Sequence, residues 1–194
     1  MLISKFEDLP SESATILFGG SFNPPHIAHV LFTVMLHLLM PASRILVAPT
    51  WSHAFNKSLL PFDKRLKMLH SVFDDMPWVE VSTIERDLHE STSYTIDVVR
   101  ALKKADPERR ILVAIGADIV GTLHQWKAYD ELEKLCDFLV LPRVGYHEEA
   151  LPIASLPNVS STAIRDAIDE DTPVARHFVR TFVPSSVLRI YREG

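Results

Sequence analysis

A single cysteine, Cys136, is all the thiol in this 194-residue chain. That excludes an internal disulfide and any cysteine-cluster metal site, and Cys136 itself reads as an inert core thiol beside a strand. Positive charge is short as well. Twenty Lys and Arg against 25 Asp and Glu leave a net charge of −5, which argues against nucleic acid as a partner while allowing a local positive pocket. The N-terminus has no basic flank leading into a signal-like apolar core. The most apolar stretch, residues 27–40, carries His29, Thr33 and His37 and is too short to span a bilayer. No membrane role is expected, and the cytoplasm is the expected compartment. Glycine is scarce, with six in all, and neither GxxxxGK[ST] nor a full GxGxxG run occurs, which removes the ordinary P-loop.

What the chain does have is a globular balance, 47% hydrophobic and 23% charged. Its length suits one domain, 1–194, burying roughly 70% of its unfolded surface. Strand-like and helix-like runs alternate, which predicts an α/β fold: an open parallel sheet with helices on both faces. Strands are expected at 15–18, 44–49, 78–82, 110–115 and 136–141. Helices are expected at 26–40, 61–74 (buried stripe Leu66, Leu69, Val72 and Phe73), 93–104 and 129–134. Residues 1–14 form a short extension with no assigned purpose. Ser160-Ser161-Thr162 supplies N-cap residues and opens a C-terminal helical part, 160–194, in which Pro173 and Pro184 start further helices.

Open parallel sheets bind ligands beyond the carboxyl ends of their strands. The turn after the first strand, the loops at 50–57 and 142–147, the 83–95 segment and Asp118 all fall at that edge. Residues 18–29, FGGSFNPPHIAH, are the most informative stretch there. Two glycines permit a tight turn and close backbone approach, the Pro24-Pro25 pair suits a first helical turn, and His26 and His29 share a helix face. Free N–H groups and the positive end of the helix dipole then converge on an anion site. Metal ligation by the two imidazoles is the poorer reading, because no third ligand lies nearby in sequence. Ser160-Ser161-Thr162 with Arg165 one turn on is a second candidate phosphate site, against a plain capping motif. His37 reads as structural. Lys57 and Arg65 read as solvated charges, Asp118 as a ribose anchor or a turn cap, and Trp126 as a stacking platform or core.

Together these stretches resemble the bacterial nicotinate-nucleotide adenylyltransferases, within the nucleotidyltransferases marked by HxxH. The family's GG[ST]F[DN]PPHxxH opening is matched by Gly19 to His29. Its strand–GxD element is matched by Gly116-Ala117-Asp118, with Trp126 eight residues later. Its TSYT segment is matched by Thr92-Ser93-Tyr94-Thr95, and its [IV]SSTxIR signature by Val159 to Arg165.

The resemblance implies a Rossmann-like nucleotidyltransferase fold and transfer of AMP from ATP to nicotinic acid mononucleotide, with Mg²⁺ on the phosphates and no metal-binding side chains. It implies that His26, His29 and Arg165 are catalytic. Gly19, Gly20, Ser21, Phe22, Lys57, Asp118, Arg143, Ser161 and Thr162 would contact the nucleotide, and Thr92, Tyr94, Thr95 and Trp126 the pyridine ring. Partners are thus ATP and a pyridine mononucleotide; a homo-oligomer is compatible with the sequence, which does not specify one. Three departures stand out. Ala28 replaces the glycine of HxGH and brings a methyl toward the ligand, Asn23 replaces aspartate near the phosphates, and residues 52–57 replace a Pro-Pro-His-Lys loop. Alternatives are an enzyme preferring nicotinamide mononucleotide or phosphopantetheine, and a nucleotide-sensing protein without catalysis.

Overall fold

Residues 45–48 and 111–115 are apolar without alternation, the signature of strands buried on both faces. The computed structural model describes residues 1–52, 59–88, 94–146 and 149–193. It places these runs in a six-stranded parallel sheet: β1 (Leu2–Ile3), β2 (Thr15–Gly20), β3 (Arg44–Pro49), β4 (Val79–Val81), β5 (Ile111–Gly116) and β6 (Asp137–Leu141), in the order β1-β6-β5-β2-β3-β4. The chain runs outward from β2 to β4, returns to β5 and continues the other way. The switch therefore lies between β2 and β5. Their ladder pairs Thr15 to Leu17 with Ile111 to Val113 and stops there. The carboxyl ends, Phe18 to Gly20 and Ala114 to Gly116, continue past the last rung, where a ligand crevice is expected.

Helix α1 (Ile27–Leu39) and helix α2 (Phe62–Phe73) cover one face. Phe32 and Leu36 of α1 and Leu69 and Phe73 of α2 join β-sheet residues such as Ile16, Ile45 and Leu112 in one core. The short α3 (Ile84–Leu88), α4 (Thr95–Ala105), α5 (Ala117–Val120) and α6 (Tyr129–Leu135) lie over the other. There Ile96, Val99 and Leu132 meet Val113, Ile115 and Phe138. The last helices, α7 (Ser161–Glu170), α8 (Pro173–Phe182) and α9 (Ser185–Arg192), form a third cluster against α1 and α2 through Ala28, Met68, Ile164, Val179 and Val187. A helix that is apolar nearly all round must be covered on more than one side, and α1 lies between the sheet and this third cluster.

Three expectations change. Residues 2 and 3 of the extension are a strand, with Ile3 fully buried opposite Leu139; two residues are too few to show a period. Helix α3, sequence IERDL, is likewise too short and too charged to stand out. The buried face of α2 runs through Phe62, Arg65, Met68, Leu69 and Phe73, with Leu66 only half-buried. The thiol of Cys136 is buried, donates to the Leu132 carbonyl at 3.2 Å and is pushed up to about 12 by burial and then by Asp137. His37 stacks on Trp78 at 4.2 Å, as a structural residue would.

Candidate active site

The turn after β2 holds the imidazole pair from below. Phe22 lies in the left-handed region, φ +44°, and turns its ring back into the core, where it is wholly buried and meets Phe18 edge-on at 5.3 Å. A Cβ on Gly20 would come within 3.1 Å of that ring, so the small residue is needed there. The Phe22 side chain thus belongs to the core and supports His29, whose ring lies 4.8 Å from it; any contact of Phe22 with nucleotide would be through its backbone. Gly19 is exposed and has open space where a side chain would stand.

His26 is the N-cap of α1 and His29 its third residue. The rings stack at 3.8 Å. The His29 Nδ1 accepts the His26 backbone N–H at 3.1 Å. A neutral imidazole with Nδ1 accepting must carry its proton on Nε2, so His29 presents a donor. Burial, and secondarily Arg143, pushes the His26 imidazole down to about 4. Burial, then His26 and Arg143, holds His29 well below the usual histidine range. Both are therefore neutral hydrogen-bonding groups at pH 7. The buried Nδ1 of His26 has no hydrogen-bond partner among the described residues.

From the ends of β5 and β6 come Asp118 and Arg143. The Arg143 Nη1 approaches Asp118 Oδ2 at 3.4 Å and its Nη2 donates to the Val159 carbonyl at 3.4 Å. Gly116 makes room for them: a Cβ there would lie 2.4 Å from Asp118 Oδ1 and 2.8 Å from Arg143 Cδ. Asp118 Oδ1 is buried and lacks a hydrogen-bond partner among the described residues.

The second signature clasps the first. Ser160 caps α7, accepting from the Ala163 N–H at 3.2 Å. Ser161 Oγ donates to the Pro24 carbonyl at 2.9 Å, and Arg165 Nη1 to the Asn23 carbonyl at 2.7 Å. Arg165 Nη2 donates to Thr162 Oγ1 at 3.3 Å. Ser161 and Arg165, both expected on phosphate, thus bind the histidine-bearing turn, while Thr162 bonds Arg165. Tyr94 is the N-cap of α4 and Thr95 its first residue. Trp126 packs edge-on to Phe138 at 6.2 Å, and Lys127 brings its ammonium 4.2 Å from the Tyr94 ring centre, so the two aromatic segments adjoin. Lys57 and Thr92 lie outside the described residues.

Three readings of single residues are corrected. Ala28 is buried in the third cluster with Met68 and Ile164, so its methyl points away from the ligand side. Asn23 is buried, and its Oδ1 accepts the Leu60 N–H at 3.2 Å; it ties a loop. Arg65, read as a solvated charge, is 1% exposed and donates to three carbonyls. Its position three and four residues before Met68 and Leu69 puts it on the buried stripe, a signal in the sequence that its charge concealed. Buried Glu85, whose Oε2 accepts the Trp51 N–H at 3.1 Å, gave no such signal.

Among the described residues no group of three or more His, Cys, Asp or Glu could hold a metal ion. The donors gathered here are imidazole, hydroxyl, guanidinium and one carboxylate, Asp118, which is already paired with Arg143 at 3.4 Å, whereas Mg²⁺ takes several oxygen ligands. The side chains do not fit a resident Mg²⁺.

Residues 17–167 match the cytidylyltransferase-like family. The chain is similar to the "Probable nicotinate-nucleotide adenylyltransferase" of Myxococcus xanthus, 34% identical over 153 residues that cover 78% of this chain and 80% of that one. It is similar to the protein of the same name from Anaeromyxobacter dehalogenans strain 2CP-1, at 32% over 91% and 92%. In fold it resembles the nicotinic acid mononucleotide adenylyltransferase of Plasmodium falciparum complexed with NaAD, with a TM-score of 0.75 at 16% identity, over 92% of this chain and 94% of that one.

Proposed function

The chain belongs to the cytidylyltransferase-like nucleotidyltransferases, in their nicotinate-nucleotide adenylyltransferase family, and from that premise we propose how it works. It transfers AMP from ATP to nicotinic acid mononucleotide, forming deamido-NAD and releasing pyrophosphate. The observation that carries the mechanism is the pair of neutral, stacked imidazoles at the N-terminus of α1, beside Arg143 and clasped by Ser161 and Arg165.

The attacking phosphate of the mononucleotide is already ionised at neutral pH, so no protein nucleophile or strong base is required. Its oxygen attacks the α-phosphorus in line, and the bond to the bridging oxygen breaks with pyrophosphate leaving. What the protein supplies is alignment and fixed donors. In this reading the His29 Nε2–H donates to an α-phosphate oxygen as negative charge shifts there. Arg143 and the remaining N–H groups of Arg165 offset charge on the departing phosphates, and Asp118 holds ribose. Tyr94, Thr95 and Trp126 border the pyridine ring. Mg²⁺ comes and goes with the triphosphate as part of the substrate. No described helix is long and apolar enough to cross a membrane, and a reaction that consumes ATP supports the cytoplasm as the compartment.

Asn23 and Ala28, two departures from the family's pattern, have loop-tying and packing roles here, so neither favours a non-catalytic sensor. Pyrophosphate release with MgATP, comparing nicotinic acid mononucleotide, its amide and phosphopantetheine, tests the proposal. The expected result is preference for the acid, with the dinucleotide recovered chromatographically. His29→Ala should lower turnover about 100-fold or more, as loss of a transition-state donor does, with circular dichroism unchanged. No dinucleotide from the acid, or near-normal turnover by the variant, would overturn the substrate and the donor role respectively.

A further inference from the structure

We propose that Arg65 is a positioning residue for the transfer site, its guanidinium fixing the histidine-bearing turn relative to the segments that flank residues 53–58. The proposal rests on the adenylyl-transfer reading for its kinetic arm alone. The Arg65 Nη1 donates to the Ser21 carbonyl at 2.9 Å, Nη2 to the Thr50 carbonyl at 2.7 Å and Nε to the Leu60 carbonyl at 3.0 Å. These carbonyls belong to three different segments: the turn after β2, the end of β3 and the approach to α2.

The segments are also tied to one another. Thr50 N–H donates to the Gly20 carbonyl at 2.9 Å, and Leu60 N–H to Asn23 Oδ1 at 3.2 Å. Glu85 holds the Trp51 N–H at 3.1 Å and sets a negative charge near Arg65.

A buried guanidinium is a costly way to fill core volume, since its desolvation offsets much of what its bonds return. An apolar side chain would suit the α2 stripe better if stability were the only demand. What only arginine offers is a planar fork whose donors diverge to several acceptors at fixed angles. Ser21 stands between Gly20 and Phe22, and Phe22 is the surface on which His29 rests. Arg65 thus acts on the imidazole pair through two intervening residues, Ser21 and Phe22, and touches no reacting atom.

Arg65→Lys keeps the charge but has a single nitrogen for three carbonyls. Its expected turnover is about 30-fold down, since small misplacement of reacting groups is enough for such a loss. ATP affinity by calorimetry should stay within about five-fold, because the phosphate contacts belong to other side chains. The side-chain ¹⁵N signals of His26 and His29 should move in the ligand-free variant. Met68→Ala, a neighbouring cavity on the same helix, is the control and should lower Tm by several degrees while leaving those signals in place.

Imidazole signals and turnover both unchanged in folded Arg65→Lys would overturn the proposal. So would a loss of turnover matched by Met68→Ala at the same loss of Tm. If wild type makes no dinucleotide, the reading of the reaction fails and the imidazole signals still decide the role of Arg65. Should Arg65→Lys not accumulate, Glu85→Gln removes the countercharge while keeping the acceptor for Trp51. A fall in turnover of about five-fold with the imidazole signals displaced is then expected, and unchanged values of both would overturn the proposal.

Discussion

In the proposed reaction His26 and His29 act as neutral hydrogen-bonding groups, and that neutrality has a pH signature. For His26 the folded value of about 4 lies below the ordinary 6.5, so protons bind the unfolded chain more tightly than the folded one. The stabilisation is complete above about pH 6.5 and disappears as pH falls toward 4, to the extent of about 3 kcal/mol for this one group. Wild type should therefore lose Tm steadily from pH 6.5 to 4.5, and His26→Asn should lose less. Thermal melts across that range check it, and parallel slopes would show that His26 is not the group responsible. The placing of both histidines together at one helix start was legible in the sequence from the turn that precedes them. Their protonation was not, because it depends on the buried surroundings of the pair and on Arg143, which comes from a loop far along the chain. Asn23 and Ala28 were misread for a related reason: a motif lists neighbours in sequence, while the partners of these two residues are Leu60 and a cluster built from the last helices.

At the scale of elements, α1 has two duties. Its first turn presents the imidazoles and its sides join two clusters. Ala28 belongs to the second duty, so Ala28→Gly should cost about 1 kcal/mol through helix propensity and lost packing and leave turnover within two-fold. Melting curves with steady-state rates test this; a marked change in turnover with little change in Tm would put the methyl group back on the ligand side. Most elements could be read from apolar runs and their spacing, β3 to the residue. Those that could not are short, as β1 and α3 are; α2 was legible as a helix, and only its buried face was misplaced, because that face contains a charge. Periodicity registers apolar residues, and Arg65 is buried by hydrogen bonds.

Across the whole molecule, stability and chemistry occupy different parts of the sheet. β1 is at the edge beyond β6, separated from β2 by β6 and β5, and its Ile3 is completely buried. Ile3→Ala should cost roughly 2–4 kcal/mol, the usual range for a large-to-small core change, and lower Tm by several degrees. Its KM and turnover should match wild type at a temperature where both proteins are folded. A changed KM for ATP would mean that the edge strand reaches the site through β6 and Arg143. The clasp of Ser161 and Arg165 on Pro24 and Asn23 bears on how the protein is made. At roughly 5–20 residues per second, a ribosome completes the imidazole turn many seconds before it adds the residues that hold it. A chain released early would carry both histidines on an unclasped turn, so a chain that ends before Ser161 is expected to release no pyrophosphate from ATP.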